Sequence, residues 1–64
     1  MDLKDVKYYL NRYVYYKGNK YVFSGCTIRK IPYEDTCYYQ AEILDQNKNT
    51  VYIVKLDDIH KEET

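Results

Sequence analysis

The sequence contains no tryptophan, one proline, two glycines, two cysteines and one histidine among its 64 residues. Because Gly18 and Gly25 are the only glycines, the chain offers no glycine-rich loop for a phosphate group or an oxyanion. The cysteines form no Cys-x-x-Cys pair and His60 is the only histidine, so the usual zinc ligands are missing unless carboxylates or a second chain contribute. We therefore expect a protein that is not an enzyme and holds no metal or cofactor.

An excess of one charge is also lacking, because ten basic side chains balance ten acidic ones. Neutrality disfavours strong non-specific binding to nucleic acids, which depends on excess positive charge. The charge is nevertheless uneven along the chain: residues 1–31 hold seven Lys or Arg against two acids, and residues 32–64 hold eight acids against three lysines. One basic face would result only if the fold kept these halves apart.

No apolar run approaches the roughly 18–20 residues of a membrane-spanning helix. The first ten residues, MDLKDVKYYL, contain acids and no apolar core of signal-peptide length. These features predict a cytoplasmic protein with no membrane partner. In a reducing cytosol Cys26 and Cys37 are expected as free thiols.

Tyrosine is the residue that the sequence has in excess, with ten tyrosines beside one phenylalanine. The length fits a single domain, residues 1–64, and a chain this short buries only about 60% of the surface that it exposes when unfolded. A tyrosine ring covers a shallow core while its hydroxyl stays hydrated. Tyrosine is also typical of strands, so the composition favours a small β-rich domain.

The first residues predict a short helix within the segment 1–11. Asp2 is a suitable N-cap, and Asp5 three residues later resembles its partner in a capping box. Apolar residues recur at helical spacing, at Leu3, Val6 and Leu10. This pattern favours a helix over about residues 2–10, which must dock on the domain to persist.

From residue 12 onward, β-branched and aromatic residues separated by turn signals predict strands. The predicted strands are residues 12–17, 20–31, 37–44 and 50–55. Gly18-Asn19 predicts a two-residue hairpin turn, and Gly25 inside the second strand predicts a bulge or sharp bend. Residues 32–36 and 45–49 are predicted loops. Residues 56–59 are a predicted helical turn that closes the core, and one or two residues of a fifth strand are expected after it.

The alternation in the third predicted strand indicates which face is buried. Its expected core residues are Tyr39, Ala41 and Ile43. The fourth strand is apolar on both faces, and the N-terminal helix is the available cover for its second face. A homodimer is the alternative, in which a second copy covers what the helix does not.

The pairing between strands two and three decides whether the cysteines meet. With a five-residue loop 32–36, Ile31 lies opposite Cys37, and Cys26 lies opposite Glu42, which keeps the thiols apart. A tight hairpin centred between Ile31 and Pro32 would instead place the thiols opposite each other. Pro32 favours the longer loop and therefore buried or half-buried free thiols.

The order of elements, with the stretches AEILD and VYIVKLDDI at residues 41–45 and 51–59, resembles the SH3-like (Tudor-like or KOW-like) barrels. The chain also resembles short proteins carried by bacterial phages and conjugative elements. The resemblance covers residues 12–60 and implies a five-stranded antiparallel barrel behind the N-terminal helix, with residues 61–64 as a frayed tail. It further implies a small binding module, because such domains bind peptides, modified side chains, nucleic acids or partner proteins.

Two candidate surfaces follow. Exposed tyrosines are typical of protein interfaces, and an aromatic groove suits an extended peptide. The tyrosines expected in such a groove are Tyr15, Tyr16, Tyr33, Tyr38 and Tyr52. The alternative is nucleic-acid binding by a basic, tyrosine-rich hairpin over residues 12–31, in which rings stack on bases and cations contact phosphates. Its expected basic residues are Arg12, Lys17, Lys20, Arg29 and Lys30. We expect the partner to be a protein, whose identity the sequence does not give, and we expect the chain to be a monomer or a homodimer.

Overall fold

The computed structural model describes residues 1–62, so the last two residues of the predicted tail 61–64 lie outside the described part of the chain. The N-terminal helix consists of a 3-10 turn, Leu3–Asp5, followed by α1, Val6–Tyr9. Asp2 is the N-cap of the 3-10 turn, but its side chain makes no capping hydrogen bond. The predicted capping box is therefore not formed, and the Asp5 carboxylate accepts a hydrogen bond of 3.2 Å from Lys61 Nζ.

Four antiparallel strands form one open sheet in the order β1-β2-β3-β4. The strands are β1 Tyr13–Tyr16, β2 Asn19–Lys30, β3 Cys37–Asp45 and β4 Thr50–Lys55. A second 3-10 turn, Leu56–Asp58, follows β4 and is called the closing turn below. The mainly β class and the order of elements agree with the sequence-based prediction.

The turn between β1 and β2 lies one residue earlier than predicted. Tyr16 is opposite Asn19, so the two central residues are Lys17 and Gly18 and not Gly18 and Asn19. Their φ angles of 49° and 78° are both positive, which defines a type I′ turn. Glycine takes the second central position, where the left-handed conformation costs it nothing.

The bulge predicted at Gly25 is confirmed. Phe23 pairs with Ile43 and Gly25 pairs with Glu42, so Ser24 is the extra residue in β2. A bulge bends its strand and increases the local twist, which lets a 12-residue strand curve around a small core.

The core is formed by residues from the sheet and from the end of the chain. Its buried members are Val14, Phe23, Ala41, Ile43, Leu56 and Ile59. Ala41 and Ile43 confirm the predicted inner face of β3, with half-buried Tyr39 packed against the same cluster. The closing of the core by Leu56 and Ile59 is also confirmed, because these side chains are 3% and 1% exposed.

The prediction that the N-terminal helix covers the outer face of β4 is wrong. Val51 and Ile53 remain 53% and 52% exposed, whereas Val6 and Tyr9 of α1 pack against the core cluster. The Met1 ammonium group donates hydrogen bonds of 3.0 Å and 2.8 Å to the carbonyl oxygens of Leu56 and Ile59. These bonds hold the helix beside the closing turn and away from the exposed side of β4.

The chain returns to β1 after the closing turn. Tyr15 and His60 form an isolated antiparallel bridge, with both N–H···O bonds at 2.9 Å. The predicted fifth strand is thus represented by this single bridge. No helix within residues 1–62 is long and apolar enough to cross a membrane.

Candidate binding surface

Three tyrosines lie in series on the core side of the sheet. The rings of Tyr16 and Tyr21 have centroids 6.3 Å apart, and those of Tyr21 and Tyr52 are 5.9 Å apart, both in edge-to-face geometry. Edge-to-face pairs add about 0.5–1.5 kcal/mol beyond the burial of their area. Tyr16, Tyr21 and Tyr52 are called the tyrosine cluster below.

The register explains why these rings share one face. Tyr21 lies opposite buried Val14 and two residues before buried Phe23. Tyr52 lies opposite Ile43, which is itself opposite Phe23. Because side chains of a strand alternate between faces, Tyr21, Tyr52 and Tyr16, two residues after Val14, all point to the core side.

The cluster lies at the border between core and solvent. Tyr16 and Tyr21 are half-buried and pack against the core, and Tyr52 is 38% exposed. Such rings present fixed apolar area with hydrated hydroxyls, at a low cost in conformational entropy on binding. The cluster is therefore suited to contact a partner without rearranging.

Two depressions flank the tyrosine cluster. The first, of ≈ 360 Å³, is lined by Tyr16, Lys17, Asp57, Asp58 and His60. The second, of ≈ 340 Å³, is lined by Asn19, Lys20, Tyr21, Asp45, Asn47, Lys48 and Tyr52. Two aspartates and one lysine give the first depression an acidic excess, whereas two lysines and one aspartate give the second a basic excess. The cluster thus lies between surfaces of opposite charge.

The structure joins only two of the five tyrosines expected in one groove. Tyr16 and Tyr52 are connected through Tyr21, which sequence reasoning missed although its alternation with Phe23 places it on the core side. Tyr15 lies opposite Lys20 on the outer face, and Tyr38 lies opposite Arg29 on that face. Tyr33 is in the loop between β2 and β3, with a φ of 71° and a fully exposed side chain.

Three of the predicted basic residues lie over tyrosine rings of the same chain. The guanidinium of Arg12 is 4.4 Å from the ring centroid of Tyr8, and Nζ of Lys20 is 4.4 Å from that of Tyr13. Lys17 Nζ is 5.4 Å from the centroid of Tyr16. These cation–π contacts occupy one face of each ring, which reduces the faces available for stacking on bases.

The remaining two basic residues lie at the far end of β2. At about 3.3 Å per residue, the strand separates Arg29 from Lys20 by up to roughly 30 Å. Arg29 Nε donates a hydrogen bond of 3.1 Å to Gln40 Oε1, and the adjacent Lys30 points to the opposite face by alternation. The structure therefore does not bring the five basic residues together on one surface.

Both thiols are free and lie apart. Cys26 is opposite Ala41, and Cys37 is opposite Lys30, so the register differs by one residue from the predicted one and the loop comprises residues 31–36. The longer loop and separated thiols are confirmed, but Cys37 is exposed, not buried or half-buried. Partial burial raises the pKa of the Cys26 thiol, because desolvation penalises the thiolate.

His60 has an exposed side chain, but its backbone is held by the bridge to Tyr15. Within residues 1–62, no three His, Cys, Asp or Glu side chains are grouped as ligands for a metal ion. Comparison of the chain with protein-family models, curated proteins and solved structures gives no match.

Proposed function

We propose that this chain is a non-enzymatic protein-binding module that holds an extended peptide across the tyrosine cluster. The observation that carries the proposal is the series Tyr16–Tyr21–Tyr52, in which packed rings keep solvent-facing edges. Aromatic residues that are pre-positioned on a sheet are typical anchors of protein interfaces.

We further propose that the domain is an SH3-like barrel. The support is the bulged 12-residue β2, the closing turn after β4 and the return of His60 to β1. These features follow the order of elements in that fold. In such small barrels, a long bent strand pairs with different neighbours along its length and so curves the sheet. A groove of aromatic residues beside a 3-10 turn would then be its binding surface.

The charges flanking the cluster restrict the peptide. A basic residue of the ligand fits the depression that contains Asp57 and Asp58, and an acidic residue fits the depression that contains Lys20 and Lys48. Complementary charges of this kind set orientation and association rate more than affinity. The acidic first residues and the lack of a long apolar run support a cytoplasmic location. The resemblance to proteins of phages and conjugative elements supports a role as an accessory protein of a mobile element.

The test is selection of random linear peptides displayed on phage, followed by fluorescence anisotropy with the selected peptides. Tyr52→Ala is expected to weaken binding by about 30-fold, the effect of losing an interface anchor worth about 2 kcal/mol. Tyr33→Ala is the matched control, because that ring is fully exposed and away from the cluster, and its affinity should equal that of the unaltered chain. Equal losses in the two variants, or no selected peptide, would refute the proposal.

Nucleic-acid binding is tested in the same instrument with labelled DNA and RNA at about 50 and 200 mM salt, where phosphate contacts cause a steep loss of affinity. The proposed function predicts no micromolar binding. Salt-dependent binding would replace peptide recognition with nucleic-acid recognition if it disappeared when Lys17, Lys20, Arg29 and Lys30 were changed to Glu.

A further inference from the structure

The free edge of β4 lacks the features that usually protect an edge strand. All six residues of β4 pair with β3 without a register shift, and within residues 1–62 no backbone hydrogen bond to another element covers the far side of the strand. Edge strands are commonly protected by proline, bulges or central charges. β4 has the sequence TVYIVK, whose one charge is the terminal Lys55.

The outer face beside this edge carries exposed apolar side chains. Val51, Leu44, Val22 and Tyr13 lie directly opposite one another in a row across all four strands. Val51 and Tyr13 are 53% and 49% exposed, and Ile53, two residues further along β4, is 52% exposed. A strand added at the edge would therefore extend both the hydrogen-bond ladder and the apolar face.

We propose that β4 pairs antiparallel with β4 of a second copy of this chain, about a two-fold axis at Tyr52. The faces of the two sheets must match, so Val51 and Ile53 can lie opposite only outward-facing residues of the second copy. The axis at Tyr52 places Val51 opposite Ile53 of the second copy and leaves Lys55 outside the central pairs. An axis at Ile53 would place Val51 opposite a lysine.

Charge complementarity favours a second copy over an unrelated strand. Antiparallel pairing brings the start of one β4 beside the end of the other, so Lys48 of one chain approaches Asp57 and Asp58 of the other. Within one chain these groups are separated by the length of β4, about 20 Å for six residues. All three side chains are exposed, and neither of the ion pairs within residues 1–62 involves them.

The turn that carries Lys48 is closed by three hydrogen bonds. Oδ1 of Asp45 accepts hydrogen bonds of 3.0 Å and 3.3 Å from the backbone N–H groups of Asn47 and Lys48. The hydroxyl of Thr50 donates a hydrogen bond of 3.0 Å to the carbonyl of Lys48. Lys48 therefore belongs to a hydrogen-bonded turn that directly precedes the free edge.

The first experiment is sedimentation equilibrium of the whole chain across the micromolar range. A concentration-dependent dimer is expected, and Ile53→Arg should weaken association by about tenfold or more, equivalent to at least 1.4 kcal/mol. Ile28→Arg is the matched control, because Ile28 is 61% exposed and lies on β2 away from the edge. A chain that stays monomeric throughout, or a dimer that Ile53→Arg leaves intact, would overturn the proposal and leave the edge to another strand-forming partner.

The second experiment tests the direction of pairing. Lys48→Glu alone and Asp57→Lys with Asp58→Lys together are each expected to weaken the dimer, because like charges then face each other at both contacts. In an equimolar mixture the new glutamate meets the new lysines at one contact, and the unaltered lysine meets the unaltered aspartates at the other. Recovery of dimer in the mixture is expected, and its failure would overturn the antiparallel arrangement. Ile53 lies on the outer face and lines neither depression beside the tyrosine cluster, so Ile53→Arg separates a failure of dimerisation from a failure of peptide binding.

Discussion

Replacing Ile59 with alanine tests whether the end of the chain is part of the core. Ile59 follows the closing turn, outside the four strands, yet its side chain is only 1% exposed. It packs in one cluster with Val14 of β1 and Phe23 of β2. The neighbouring His60 holds this segment against Tyr15, so the backbone has little freedom to collapse into a vacated space.

Truncation of the Ile59 side chain is expected to lower the free energy of unfolding by several kcal/mol. Ile59→Ala removes three carbon atoms, which at about 0.8 kcal/mol for each buried group gives about 2.4 kcal/mol. The cavity left behind adds to this value, which places the total at about 3–4 kcal/mol, within the range of roughly 2–5 kcal/mol for such substitutions. At about 0.05–0.15 kcal/mol per residue, a domain of this size has only about 3–10 kcal/mol in total.

The measurement is urea unfolding followed by far-UV circular dichroism, since the chain has no tryptophan to report by fluorescence. Ile28→Ala removes the same atoms from a side chain that is 61% exposed, and should cost less than about 0.5 kcal/mol. A loss below about 1 kcal/mol for Ile59→Ala, or equal losses in the two variants, would show that the closing segment is not part of the core.

The two glycines should respond differently to alanine. Gly18→Ala is expected to cost about 1–2 kcal/mol, because its φ of 78° is left-handed although space for a methyl group is free. Gly25→Ala should change the free energy of unfolding by less than about 1 kcal/mol, because the nearest atom to the added carbon is the movable carboxylate oxygen of Glu42, at 3.2 Å. Equal urea midpoints for the Gly18 and Gly25 variants would contradict this difference. The two thiols should also differ, with iodoacetamide at mildly alkaline pH modifying exposed Cys37 faster than Cys26, whose pKa is raised by burial. Peptide mass spectrometry measures both rates, and faster modification of Cys26 would contradict its placement.

Short stretches of the sequence were sufficient to predict the order of the secondary-structure elements. Gly18-Asn19 predicted the first hairpin, and Gly25 predicted the bulge, because these positions depend on backbone conformation within a few residues. The turn was misplaced by one residue, since several dipeptides around Gly18 are compatible with a tight turn. The alternation in β3 correctly predicted buried Ala41 and Ile43, because period-two burial is readable along one strand.

The tyrosine cluster could not be predicted from the sequence, because it is formed by residues that are far apart in the chain. Tyr21 joins the cluster because β1 and β3 flank β2 in a particular register, and nothing near Tyr21 in the sequence shows that Tyr52 lies 5.9 Å away. The basic residues were expected on one surface because strands one and two form one hairpin over residues 12–31. A 12-residue strand instead separates such residues along its length, and tyrosine rings hold some of the cations.

By itself, the sequence determined a small β-rich chain with a short N-terminal helix, a bulged long strand and a closing turn, because strand periodicity and turn chemistry act over a few residues. Only the tertiary structure decided which tyrosines meet, where α1 docks and that the outer face and far edge of β4 stay uncovered. These features depend on pairing register and on contacts between residues more than fifty positions apart, such as the Met1 ammonium and the carbonyl of Ile59. Such contacts form only when segments that are far apart in the sequence pack against each other.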